Sequence, residues 1–171
     1  MAVESFWEQV EGEELRQGDI LKDCPVPLFN PQPGKEEDVD VNEFDVIIVT
    51  QSCDLEARKV RLVALCPITS VVEFEQASPQ MAKGGRWESV RKGREEGLHL
   101  LSSPVYPDNN RECLVVDFRE IYSSALDFLT QHAVAQGARW RLKSPYLEHF
   151  SQAFARFFMR VGLPSNIPPF K

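Results

Sequence analysis

The chain has no closely spaced cysteine pair, no apolar run near membrane-spanning length and only three histidines. Each shortage removes a class of function. A zinc site needs about four Cys or His ligands, typically with one pair as close as CxxC. Cys24, Cys53, Cys66 and Cys113 are instead 29, 13 and 47 residues apart. No metal or other cofactor is therefore expected, and the Cys24-Pro25 and Cys66-Pro67 dipeptides read as strand ends. A membrane helix needs about 18 consecutive apolar residues, and no stretch approaches that. With no basic, then apolar, leader at its start, the chain reads as cytoplasmic, with reduced thiols. Basic residues are scarce at the front: positions 1–45 hold 13 acidic and 3 basic side chains (net −10), against net +3 for the remainder and −7 overall. Phosphate binding wants a basic face, so a broad nucleic-acid surface is disfavoured.

What is present is ordinary globular composition, 43% hydrophobic and 26% charged, over 171 residues. That suits one domain able to bury a core without staples. Its expected parts are an acidic segment over 1–15, a β core over 16–123 with a helical or looped excursion at 70–97, and C-terminal helices over 124–163. Residues 5–15 (SFWEQVEGEEL) read as a short amphipathic helix anchored by Phe6 and Trp7. A short strand is expected to begin at Gly18–Leu21. Four prolines between Cys24 and Gly34 predict extended or looped chain, because proline has no amide to donate. Residues 35–43 read as a solvated loop.

The β-branched runs FDVIIVT (44–50) and VRLVALCPI (60–68), joined by a short polar link, predict a buried antiparallel pair. Further strands are expected at 98–103, 112–118 and 120–123, which together suggest an α+β fold: a small curled sheet or barrel. Residues 124–135 read as a helix ending near Gly137. A last helix is predicted with Ser144 as N-cap and Pro145 at its first position, apolar along Tyr146, Phe150, Phe154, Phe157 and Phe158. Its opposite face carries His149, Gln152, Arg156 and Arg160.

Three places could carry function. Thr50-Gln51-Ser52-Cys53-Asp54 lies where a buried strand ends, a common position for presented polar groups. Cys53 could be a nucleophile there, but thiolate chemistry needs a base and no histidine is close in sequence. The competing reading has Thr50, Ser52 and Asp54 capping the strand end while Cys53 packs as a small hydrophobe. Lys83, Arg86, Arg91, Lys92 and Arg94 around Trp87 could hold RNA by charge and stacking, or form a solvated connector with Trp87 tucked inward. Arg156 and Arg160, with His149 beside them and Arg139 and Arg141 upstream, could receive an acidic partner.

Gln17-Gly18-Asp19-Ile20, the strand ending in Val49-Thr50-Gln51-Ser52-Cys53-Asp54-Leu55 and the closing Phe157-Phe158-Met159-Arg160-Val161-Gly162-Leu163-Pro164 resemble a family of small, poorly characterised bacterial proteins. The Gly-Asp-Ile strand followed by an apolar strand ending in a hydroxyl residue also resembles the PemK/MazF toxins, SH3-like barrels that cleave RNA. That likeness implies an SH3-like barrel closed by the C-terminal helix, with Thr50 or Ser52 as the hydroxyl. The toxins carry arginine immediately before Gly-Asp, where this chain has Gln17, with Arg16 one residue earlier. In a strand that offset points to the opposite face. Small proteins of this kind are often encoded beside bacterial stress or defence genes, CRISPR-associated ones included. The leading expectation is a non-catalytic accessory or adaptor module that binds another protein. The alternatives are an RNA-cleaving enzyme using Arg16, Thr50, Ser52 and Asp54, and a Cys53-dependent enzyme.

Overall fold

A computed structural model describes residues 5–29 and 39–159. Among them are eight strands and five α-helices: β1 (Trp7–Val10), β2 (Ile20–Phe29), β3 (Val39–Ile48), α1 (Ser52–Glu56), β4 (Leu62–Ser70), α2 (Val71–Ala77), α3 (Arg86–Arg91), β5 (Leu98–Leu101), β6 (Leu114–Asp117), β7 (Tyr122–Ala125), α4 (Leu126–Gln136), β8 (Arg139–Leu142) and α5 (Tyr146–Phe158). Short 3₁₀ turns stand at Pro79–Ala82 and Asn110–Glu112. No helix of the described residues is long and apolar enough to cross a membrane.

The larger sheet runs β2-β3-β4-β6-β5, all antiparallel, with β7 on the first half of β4. The predicted central pair is there: Ile47 stands opposite Cys66 and Ile48 opposite Leu65. The apolar runs are continuous, not alternating, because both faces of this sheet are covered. Ile47, Val49, Cys66 and Ile68 pack with Phe118, Leu142 and Phe150 on one face. Val46, Ile48, Val63 and Leu65 pack with Leu55, Leu126 and Leu129 on the other. Thus α5 and β8 close one side, and α1 and α4 close the other. This corrects the barrel expectation. A barrel wraps a single core, whereas these strands form an open α+β sheet with a core on each face.

Two strands lie outside the predicted β core. The opening acidic segment is not a helix: β1 pairs with β8, Trp7 opposite Leu142 and Val10 opposite Arg139. Trp7 is buried, and its indole donates to the Ser102 carbonyl at 2.8 Å. That long-range pairing overrides the weak helical pattern of so short a stretch. Residues 39–43, expected to be loop, extend β3 and pair with β2. Within β2, Pro25 and Pro27 lack amides, so they can only occupy positions whose amide would face away from β3.

The excursion after β4, expected to be helical or looped, holds α2, a 3₁₀ turn and α3. It opens on a capping box in which the Glu73 amide donates to Ser70 Oγ (3.2 Å) and the Ser70 amide to Glu73 Oε2 (2.7 Å). α4 ends at Gly137 as expected. α5 begins one residue later than predicted, with Pro145 in the cap position and no side-chain cap from Ser144. Its first-turn amides are satisfied by backbone, Leu147 N–H donating to the Lys143 carbonyl at 2.9 Å.

Candidate functional site

The strand-end cluster after β3 is built from hydroxyls and amides that satisfy one another. Thr50 Oγ1 accepts from the Ala64 amide at 2.8 Å, and Ser52 Oγ accepts from the Gln17 amide at 3.1 Å. Gln17, itself buried, donates to the Val49 carbonyl (2.9 Å) and accepts from Ser151 Oγ on α5 (3.3 Å). Asp54 lies 3.9 Å from Lys59 Nζ. Cys53 does not pack as a small hydrophobe, in contrast to the competing expectation. It is exposed, with its sulfur 3.7 Å from Gln51 Oε1 and 3.9 Å from Asp54 Oδ1. A helix turns about 100° per residue, so burying Leu55 in α1 turns Cys53, two residues back, outward.

Beneath this cluster lies a buried ion triad that the sequence reading missed. Asp19, fully buried, accepts from Arg139 Nε at 2.9 Å, from Arg141 Nε at 2.6 Å and from the Arg16 amide at 3.2 Å. The spare guanidinium hydrogens hold the chain above: Arg139 donates to the carbonyls of Gly12 (2.8 Å) and Glu14, and Arg141 to that of Glu14 (2.8 Å). Among the described residues no buried side-chain nitrogen or oxygen is left without a hydrogen-bond partner, the condition under which a buried ion pair is tolerable. The signal was in the sequence: Arg-Trp-Arg-Leu alternates strictly, placing both arginines on one face of a strand and Trp140 with Leu142 on the other. Arg139 and Arg141 are therefore not part of a surface for an acidic partner. Arg16 points its guanidinium to Glu14 Oε1 at 2.6 Å. Of the groups the toxin likeness would use, the Thr50 and Ser52 hydroxyls each accept a backbone amide and Arg16 pairs with Glu14 at the surface.

The basic loop divides. Trp87 is half-buried, donating from its indole to Glu75 Oε1 at 2.7 Å and standing edge-on to Phe74. Arg86 is exposed at the start of α3. Arg91 and Lys92 both reach Glu88, at 2.7 and 3.0 Å, which holds its carboxyl down at about 2. These two line a cleft of about 310 Å³ with His99, His149, Gln152 and Arg156. Arg86 and Trp87 are not in its lining, and Arg160 lies outside the described residues.

The cleft lies between α5 and the 91–97 turn. Gly97 fits there because a Cβ would come 3.1 Å from Phe157 and 3.2 Å from Arg119, at a φ of +92° that glycine accommodates. His99, on β5, sits at its inner end, its ring near-parallel to Phe118 at 6.0 Å and tilted to Phe150 at 5.8 Å. Burial, and then the His149 charge, push the His99 imidazole down to about 4. At neutral pH it is an uncharged donor-acceptor. Arg156 makes no ion pair among the described residues and stands exposed at the rim with His149. No group of three His, Cys, Asp or Glu among the described residues could hold a metal ion. Arg91, Lys92 and Arg156 share the lining with Glu95 and Glu96, so the cleft holds a small excess of positive charge around an aromatic-backed interior, which suits a carboxylate-bearing ligand.

No family model, curated protein or solved structure matches the chain.

Proposed function

We propose that this protein is a non-catalytic accessory or adaptor module that acts by binding another protein, and that the cleft beside α5 receives an acidic segment of that partner. One observation carries the reading. Arg156 and His149 are presented at the mouth of a cleft, while the strand-end hydroxyls of Thr50 and Ser52 each accept a backbone amide. Arg91 and Lys92 add positive potential, shared with Glu88. A stress or defence assembly in bacteria, CRISPR-associated ones included, is the setting suggested by the resemblance of the Gly-Asp-Ile and Thr-Gln-Ser-Cys-Asp-Leu stretches.

The test uses the whole protein and a fluorescent peptide of alternating Glu, Asp and Phe. Saturable binding is expected at low salt, weakened about tenfold or more in Arg156→Glu. Binding that is indifferent to Arg156→Glu and His149→Glu would remove the cleft from the proposal. Mixed-sequence RNA incubated in parallel is expected to remain intact. Cleavage lost in Arg16→Ala or Thr50→Ala would overturn the adaptor reading and establish a nuclease.

A further inference from the structure

A second cleft, of about 250 Å³, shares no lining residue with the first and carries the opposite charge. Its walls are apolar and aromatic, including Ile68, Leu114, Trp140, Val105 and Tyr106. Val105 and Tyr106 are 60% and 59% exposed, among the most exposed large apolar side chains of the described chain. They are held there by construction. Ser103, buried, accepts from both of their amides, at 3.3 and 3.1 Å, which fixes the turn that lifts them to the lip. Trp140 is placed by the alternation of β8: with its neighbouring arginines committed to Asp19 on one face, the indole faces the sheet side, half-buried.

Three carboxylates from three different elements line the same cleft: Asp45 on β3, Glu73 on α2 and Glu112 on the 110–112 turn, against a single cation, Lys22. Asp45 and Glu73 each have one oxygen accepting a backbone amide, from Asp23 and Ser70. Glu112 has no side-chain hydrogen bond or ion pair among the described residues. Aromatic walls with a carboxylate rim complement a cation that is itself flat and has an apolar stem. Guanidinium meets this description better than ammonium, because it stacks on aromatic faces and pairs with carboxylates through a planar fork.

We infer that this cleft is a docking site for an arginine side chain presented by another protein. The inference goes beyond the acidic-segment cleft, and either can fail without the other.

The probe is the blocked tripeptide acetyl-Gly-Arg-Gly-amide, titrated into the ¹⁵N-labelled whole protein. The readout is the Trp140 indole N–H signal, identified by its loss in Trp140→Phe. A saturable shift is expected below about 10 mM, with the same peptide bearing citrulline, the neutral isostere, about tenfold weaker or worse. Glu112→Gln, an isosteric change at a half-buried side chain that leaves the rest of the spectrum in place, is expected to weaken the arginine peptide severalfold. Absence of a saturable shift would overturn the inference. Citrulline binding equal to arginine would reduce the cleft to an apolar groove, and a lysine peptide binding as tightly would refute the choice of guanidinium.

Discussion

At the scale of single residues, Gly18 and Asp19 share one task. Gly18 lets β8 approach: its carbonyl accepts the Leu142 amide at 3.1 Å, and a Cβ on it would stand 2.8 Å from that of Leu142 at a φ of +85°. Asp19 then pairs with both arginines that β8 brings, while backbone carbonyls take up part of the remaining positive charge. Gly18→Ala should cost about 2 to 4 kcal/mol, combining left-handed strain with overpacking; a urea titration showing under about 0.5 kcal/mol would refute the close approach. The Gln-Gly-Asp-Ile stretch was visible as a pattern in the sequence, but its role was not, since the arginines that explain Asp19 lie some 120 residues away. His99 makes a second residue-scale prediction. Its folded value of about 4 lies below the ordinary 6.5, so between those pH values the unfolded chain takes up a proton that the folded chain refuses. Stability is unaffected by this group above about pH 6.5 and declines as pH falls toward 4, by on the order of 3 kcal/mol. Comparing denaturation of the native chain with His99→Gln over pH 4 to 7 isolates the effect, and parallel pH profiles would exclude it.

At the scale of elements, β3 and β4 were legible because burial on both faces demands unbroken apolar sequence, which few other elements show. Ile48, fully buried against α1 and α4, should lose about 2 to 5 kcal/mol on replacement by Ala. A midpoint unchanged in guanidinium would contradict its placement. Strand β8 was missed although its four residues alternate, because so short an alternation between two helices is decided only by its partner. Strand β1 misled for the same reason: Phe6 and Trp7 fit a helix face as well as a strand. The edge of β2 follows from its prolines. Outward positions at Pro25 and Pro27 offer carbonyls without amides, which blunts that edge against pairing with another chain.

At the scale of the whole molecule, the two-faced sheet gives each core its own buried thiol: Cys66 in the core under α5, Cys24 in the core under α4. Burial pushes these thiols up to about 12 and about 11, so in the native protein a thiol reagent should modify exposed Cys53 first. As urea is raised, Cys24 and Cys66 should become reactive at the same midpoint, because one sheet supplies both cores. Separate midpoints would show that the faces unfold independently. The barrel expectation failed at this scale because composition and strand lengths do not say how many faces of a sheet are covered. The pairing of β1 with β8 has a further consequence, for the order of events during synthesis. The carbonyl of Gly12 leaves the ribosome 127 residues before the arginine that will hold it. At about 5 to 20 residues per second that is a wait of roughly 6 to 25 seconds, during which the first strand has no partner and the net −10 of the opening 45 residues keeps it in water.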